Sequence, residues 1–274
     1  MWNDVRAEIT KQVRRPAHWL LLGVGLLLSL TFGYLVPYAG YAGGTSGPPN
    51  SGRGLPSMLP ESFAGSAIGG MPVFVGALAL IFGVLVAGSE YGWETWKTVL
   101  VQRASRVAVY GAKLATIALG IGVLVLALFA TAAGASTVVA LLEDAALDWP
   151  GPTDILTAFA AGWLITAMWA VLGVLLAIAL RGVALPIGLG LVWLLAVQNL
   201  LTSIAAPLLD WVAEAQKGLP GPNAGSLVAS LGANTSTPGV AELVGSTQAA
   251  LVLAGYLLVF ASAGAWLLYR RDIS

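Results

Sequence analysis

The sequence predicts an all-α integral membrane protein with six transmembrane helices and both termini on the cytoplasmic side. Three observations carry that prediction. Of 274 residues, 58% are hydrophobic and only 9% are Asp, Glu, Lys or Arg, against roughly 25% charged residues in a soluble domain. Six charge-free runs each hold the roughly 20 apolar residues that a helix needs to cross hydrocarbon. Lys and Arg fall almost entirely on alternate sides of those runs. Period-two alternation is absent, which argues against a transmembrane β-barrel. The formal net charge of zero excludes nucleic-acid binding as a global electrostatic role, and the absence of cysteine excludes disulfides, thiol catalysis and Cys-ligated metals.

The chain begins with an amphipathic leader, residues 1–16. Trp2, Val5, Ile9 and Val13 follow helical spacing, and Arg6, Lys11 and Arg14 take other faces. The first span is expected near 17–37. Its long charged leader, with Asp4 and Glu8, and the five spans that follow argue for an uncleaved helix rather than a signal peptide. The stretch 41–62 is rich in Gly, Pro and Ser and reads as irregular. Further spans are expected near 67–88, 108–141, 155–180, 183–206 and 247–269, making 17–269 one transmembrane domain, with a short tail at 270–274. The third run has no breaker from about Val107 to Leu142, so its helix would outreach the hydrocarbon core and project as a lever. In the loop 207–246, "PLLDWVAEAQKG" reads as a short interfacial helix with Trp211 at the water boundary. "VAELVG" (240–245) reads as the start of a helix that dips into the membrane.

Orientation follows from the cations. Of the 13 Lys and Arg residues, all except Arg53 and Lys217 fall on the side of the two termini. The opposite side holds eight of the 13 acids: Glu61, Glu143, Asp144, Asp148, Asp154, Asp210, Glu214 and Glu242. Cytoplasmic loops carry the excess of Lys and Arg. Loops one, three and five therefore face out.

The middles of the spans lack ionisable residues, which usually mark ion or proton pathways. A carrier coupled to protons or sodium is disfavoured on that ground. Neutral polar groups remain, among them Thr116, Thr131, Thr166, Gln198, Asn199, Thr202 and Ser203. The plainer reading is hydrogen bonding between helices; the other is a substrate path through Gln198, Asn199 and Thr202 near the outer end of span five. Gly65 with Gly69, and Ala261 with Ala265, have the spacing that lets helices approach closely. No metalloprotease, nucleophile-elbow or phosphate-loop motif is present. The single histidine, His18, has no second ligand or base partner and reads as interfacial.

The segment between spans two and three, "GSEYGWETWKTVLVQRASR" (88–106), is charged and tryptophan-bearing in an otherwise uncharged chain. On a helix, Trp93 and Trp96 share a face that Val99 and Leu100 extend, with Glu90, Glu94, Lys97 and Arg103 elsewhere. That is a short amphipathic helix lying on the membrane, serving either lipid anchorage or docking of a protein partner. The cytosolic surface is then two short helices and a tail, with no room for a nucleotide-binding domain.

Here the order of features resembles a known family. A basic amphipathic leader, a first span, a loose loop and a second span precede Glu-Tyr-x-x-x-Thr-x-Lys (Glu90, Tyr91, Thr95, Lys97). Leu100, Arg103, Ser105, Arg106 and Lys113 follow, and the chain closes with "LYRRDIS". This is similar to the membrane subunit of bacterial ABC-2 type exporters, with Glu94 where the family often has Gly and Ala104 where Pro is common.

The resemblance implies a type V exporter architecture and a non-catalytic permease in a bacterial or archaeal inner membrane. The loop 89–106 would be a coupling helix seated in a separate ATPase. Two ATPase subunits would carry ATP and Mg, leaving no cofactor in this chain. A second permease copy or paralogue would complete the unit among membrane lipids, with spans two and five lining the seam. Coupling residues would be Glu90, Tyr91, Lys97, Arg103 and Arg106, to which the physical reading adds Trp93, Glu94 and Trp96. The alternatives are a non-ABC channel or carrier, a lipid-modifying membrane enzyme, and a regulatory scaffold of the same architecture.

Overall fold

A computed structural model describes residues 2–44, 51–92 and 105–270. Among these residues every regular element is helical. The leader α1 (Trp2–Val13) precedes five membrane-crossing helices. These are α2 (Pro16–Gly43), α3 (Pro60–Gly92), α4 (Arg106–Leu142), α5 (Pro152–Leu180) and α6 (Ala184–Leu208). Two short helices, α7 (Asp210–Ala215) and α8 (Pro220–Ala229), lead to the sixth span, α9 (Ser246–Arg270). The leader and the last turns of α9 both meet the start of α4, through Glu8 and Leu268; that end of the bundle is the leader side, and the other is the loop side.

The spans run longer than hydropathy alone predicts. Helix α2 continues to Gly43, because hydroxyls of Tyr38 and Tyr41 donate to Glu143 just past the end of α4, at 2.8 and 3.2 Å. It ends at Gly44, whose φ of 60° suits a residue without Cβ. Helix α4 has 37 residues, about 55 Å at roughly 1.5 Å per residue. Its N-terminus is capped by Ser105, whose hydroxyl accepts from the Ala108 N–H.

Helices α3 and α5 form the core of the bundle, while α2, α6 and α9 present most of their apolar surface outward. Glycine makes the central packing possible. A methyl group at Gly83 would overlap the Ala170 carbonyl, and one at Gly173 would overlap the Leu80 carbonyl, so the two backbones touch at both points. Three aromatic groups donate or share hydrogen bonds across helices: Tyr110 to the Ala261 carbonyl at 2.9 Å, Trp163 to the Ala118 carbonyl at 3.0 Å, and Tyr34 with Ser136 at 3.0 Å. The span threonines do not bridge helices in this way. Thr116, Thr131 and Thr166 each donate to the carbonyl four residues earlier in their own helix.

The leader is helical as its spacing predicts, but Val5 faces the bundle while Trp2 and Val13 do not. Val5, Glu8 and Gln12 are the buried positions, while Trp2 is 75% exposed and Val13 54%. The inward face is polar because buried cations await it, and the apolar stripe is left for lipid. One expectation from the sequence is corrected: the segment Val240–Gly245, read as the start of a helix, is not helical. The buried helix of this region is α8, within "PGPNAGSLVA", which reads as loop because of its Pro and Gly. Pro220 and Pro222 stand in the first turn, where the backbone N–H has no helical partner to lose. Gly225 has no Cβ because the Gly239 carbonyl occupies that space. The interfacial helix read at 207–218 appears as α7, with Trp211 exposed.

Candidate functional site

Four ionised side chains meet on the leader side. Lys113, two turns into α4, has no exposed surface; Glu90, in the last turn of α3, is 2% exposed, and Glu8 of the leader 7%. Lys113 Nζ lies 3.0 Å from Glu90 Oε1 and 3.3 Å from both Glu8 oxygens. Lys11 Nζ closes the ring, 2.6 Å from Glu90 Oε1 and 2.9 Å from Glu8 Oε1. Among these four side chains two cations alternate with two anions, so each buried charge has an opposite one beside it, which is the condition for keeping ions out of water. Burial by itself would lower the Lys11 pKa, but its hydrogen bonds to Glu90 and Glu8 outweigh that and raise it.

Neighbouring bonds extend the clasp. Lys113 also approaches the Val86 carbonyl at 3.4 Å. Arg15, between α1 and α2, donates to Ser89 Oγ at 2.8 Å and to the Leu85 carbonyl at 3.3 Å. Arg106, at the start of α4, donates to the Leu268 carbonyl of α9 at 3.4 Å. The last turn of α3 and the first turn of α4 are therefore both held by charged side chains. Glu90 and Arg106, singled out from the sequence for a partner surface, both engage this chain's own groups.

A second site lies on the loop side. A cavity of about 600 Å³ opens between α6, Pro72 and Val73 of α3, α8, and the segment 235–243. Gln198, Asn199 and Thr202 all line it. Asn199 and Thr202 bond to carbonyls of their own helix, at 2.7 Å to Leu195 and 3.0 Å to Gln198. Gln198 reaches across instead, and its Oε1 accepts from the Gly221 N–H of α8 at 2.7 Å. A Cβ at Gly221 would push that oxygen aside, so the glycine leaves room for this bond. The π-helical turns Val192–Val197 and Leu201–Ala205 flank Gln198 and re-aim the helix around it. Among the described residues no cluster of His, Asp and Glu is suited to hold a metal ion.

Residues 5–197 match the family described as ABC-2 family transporter protein. The chain belongs to the ABC-2 family. The matched stretch runs from the leader through most of α6, so it contains every member of the charge ring and stops one residue short of Gln198. Among curated proteins, none matches the chain. As an ABC-2 permease the chain is a multi-pass membrane component of an ABC transporter, in a family that associates with ABC ATPases and is generally non-catalytic. That membership displaces the non-ABC carrier and the lipid-modifying enzyme.

Of the coupling residues named from this permease's sequence, Glu90, Tyr91 and Arg106 fall within the described residues. Trp93, Glu94, Trp96, Lys97 and Arg103 lie outside them. Sequence reading missed Glu8 and Lys113 as a pair. The signal was there in Lys113: an ammonium inside a continuous helical run needs a named partner, and Glu8 sits one turn from Val5 on the leader's inward face.

Proposed function

We propose that this permease forms the translocation path of an ATP-driven exporter and takes its motion from a separate ATPase seated against the segment 89–106 on the cytosolic face. The charge ring is the observation that carries the proposal. It fastens the leader to Glu90 in the last turn of α3 and to Lys113 near the start of α4, so a push on the segment would act on both helices and the leader as one body. Helix α4, about 55 Å long at roughly 1.5 Å per residue, would carry that displacement to the loop side. ATP and Mg belong to the partner, and two ATPases with two permeases complete the working unit.

In this scheme Glu90 and Arg106 position the segment, while Trp93, Trp96, Lys97 and Arg103 touch the ATPase. Gln198, Asn199 and Thr202 line the path that the cargo follows. The eleven cations on the leader side, all of the 13 Lys and Arg except Arg53 and Lys217, support a cytosolic leader side; a bacterial or archaeal inner membrane follows from the exporter reading. Reconstitution with the ATPase tests the proposal. Trp96→Ala, or Lys97→Glu with Arg103→Glu, is expected to abolish transport while the permease remains inserted at normal levels. Unchanged transport in these variants would refute the docking role.

A further inference from the structure

The loop-side cavity carries two glutamines whose hydrogen-bonding capacity is unspent. Gln198 is 4% exposed and Gln216 is 7% exposed, and both line the cavity. The Gly221 N–H fixes the orientation of the Gln198 amide by donating to its oxygen, which leaves Nε2 as a buried donor with no partner. Gln216 Oε1 is a buried acceptor with no partner. A buried polar group left unsatisfied is destabilising unless something outside the chain completes it. Hydroxyls of Thr202, Ser203 and Ser236 add groups able to donate or accept, and none of the described lining residues is ionisable.

We propose that this cavity binds an uncharged ligand group that accepts a hydrogen bond from Gln198 Nε2 and donates one to Gln216 Oε1. A sugar hydroxyl and a carboxamide share that chemistry. A phosphate or carboxylate would meet no cation in the lining, and an ammonium no anion, so either would lose its hydration without compensation. Apolar Pro72, Val73 and Leu194 supply the remaining wall, which suits an amphiphile with a neutral polar head. That this ligand is cargo rests on the permease reading; that it binds does not.

The chain has no native cysteine, so Ser203→Cys, which faces the cavity, accepts an environment-sensitive fluorophore at one position. The labelled full chain in nanodiscs is titrated with four probes of equal alkyl length: octyl glucoside, an N-octanoyl amino-acid amide, octyl sulfate and octyltrimethylammonium. Saturable binding of one or both neutral probes, at least tenfold tighter than either ion, is expected. The glucoside and the amide identify whether hydroxyl or carboxamide is preferred. Gln216→Leu is expected to weaken the neutral probe at least fivefold without lowering thermal stability, because the atom it removes has no partner in the chain. Gln198→Leu should weaken it as well, but also strips the Gly221 N–H of its acceptor, so Gln216→Leu decides if that variant fails to fold.

Equal binding of all four probes, or unchanged binding in Gln216→Leu, overturns the proposal. No ATPase is needed for this measurement. Loss of coupling with binding intact counts against the transport reading alone.

Discussion

Lys113 and Glu90 stand 3.0 Å apart on either side of the segment that joins the second and third spans. Neither is at the protein surface. Their pairing brings the last turn of α3 against the second turn of α4 and admits the leader through Glu8 and Lys11. A solvent-facing pair of this kind would contribute roughly 0–1 kcal/mol. Buried, each ion depends on the others, because removing one leaves an uncompensated charge in a medium that solvates it poorly.

Lys113→Met is therefore expected to destabilise the permease by about 3–5 kcal/mol, the cost of breaking a buried pair from one side. Combining it with Glu8→Gln removes one charge of each sign and should recover more than half of that loss. Thermal unfolding of the four members of the cycle in one detergent measures this. Additive losses would show that the ring is not an energetic unit.

The ring also has a pH signature at Lys11. Its folded-state pKa is raised above the ordinary 10.5, so its contribution to stability is fully present below about pH 10.5 and is lost as pH climbs through the folded value. The stability gap between the native chain and Lys11→Met should hold constant from neutral pH up to about pH 10.5 and narrow above it. A gap that widens in alkali would contradict the assignment.

The leader's exposed stripe is expected to sit in lipid. A spin label at Val13→Cys should relax strongly with oxygen, which partitions into the bilayer, and one at Val5→Cys should not, since Val5 is buried against the bundle. Equal relaxation at both positions would mean that the leader leaves the bundle.

Glycine substitutions separate internal from external surfaces. Gly83→Ala and Gly173→Ala drive a methyl group into a facing backbone carbonyl and should cost about 1–3 kcal/mol or more. Gly122→Ala and Gly188→Ala meet nothing within 4 Å and should leave stability unchanged. Melting temperatures of the purified variants decide the matter.

The six spans were legible because lipid imposes one rule on every crossing helix: about 20 apolar residues and no unpaired charge. Less legible were features set by contact rather than by solvent. Helix α8 hid behind Pro220, Gly221 and Pro222, whose loop-like composition is overridden by a buried first turn and a close backbone at Gly239. The leader's helical period was legible, but the side that meets the bundle was not, since only the contact of Glu8 with Lys113 selects it. Gln198 stood out as a polar residue in an apolar helix. Its partner Gly221 and its neighbour Gln216 come from a distant loop, which no local pattern reveals.

The central claim is that the segment between Glu90 and Arg106 is where an ATPase takes hold. A photo-crosslinking amino acid at position 96, activated in intact membranes that express the whole transporter, tests this most directly. The expected product is a covalent adduct with the ATPase subunit, reduced when Lys113→Met releases the ring. An adduct with lipid alone, at normal levels of both proteins, would contradict the account.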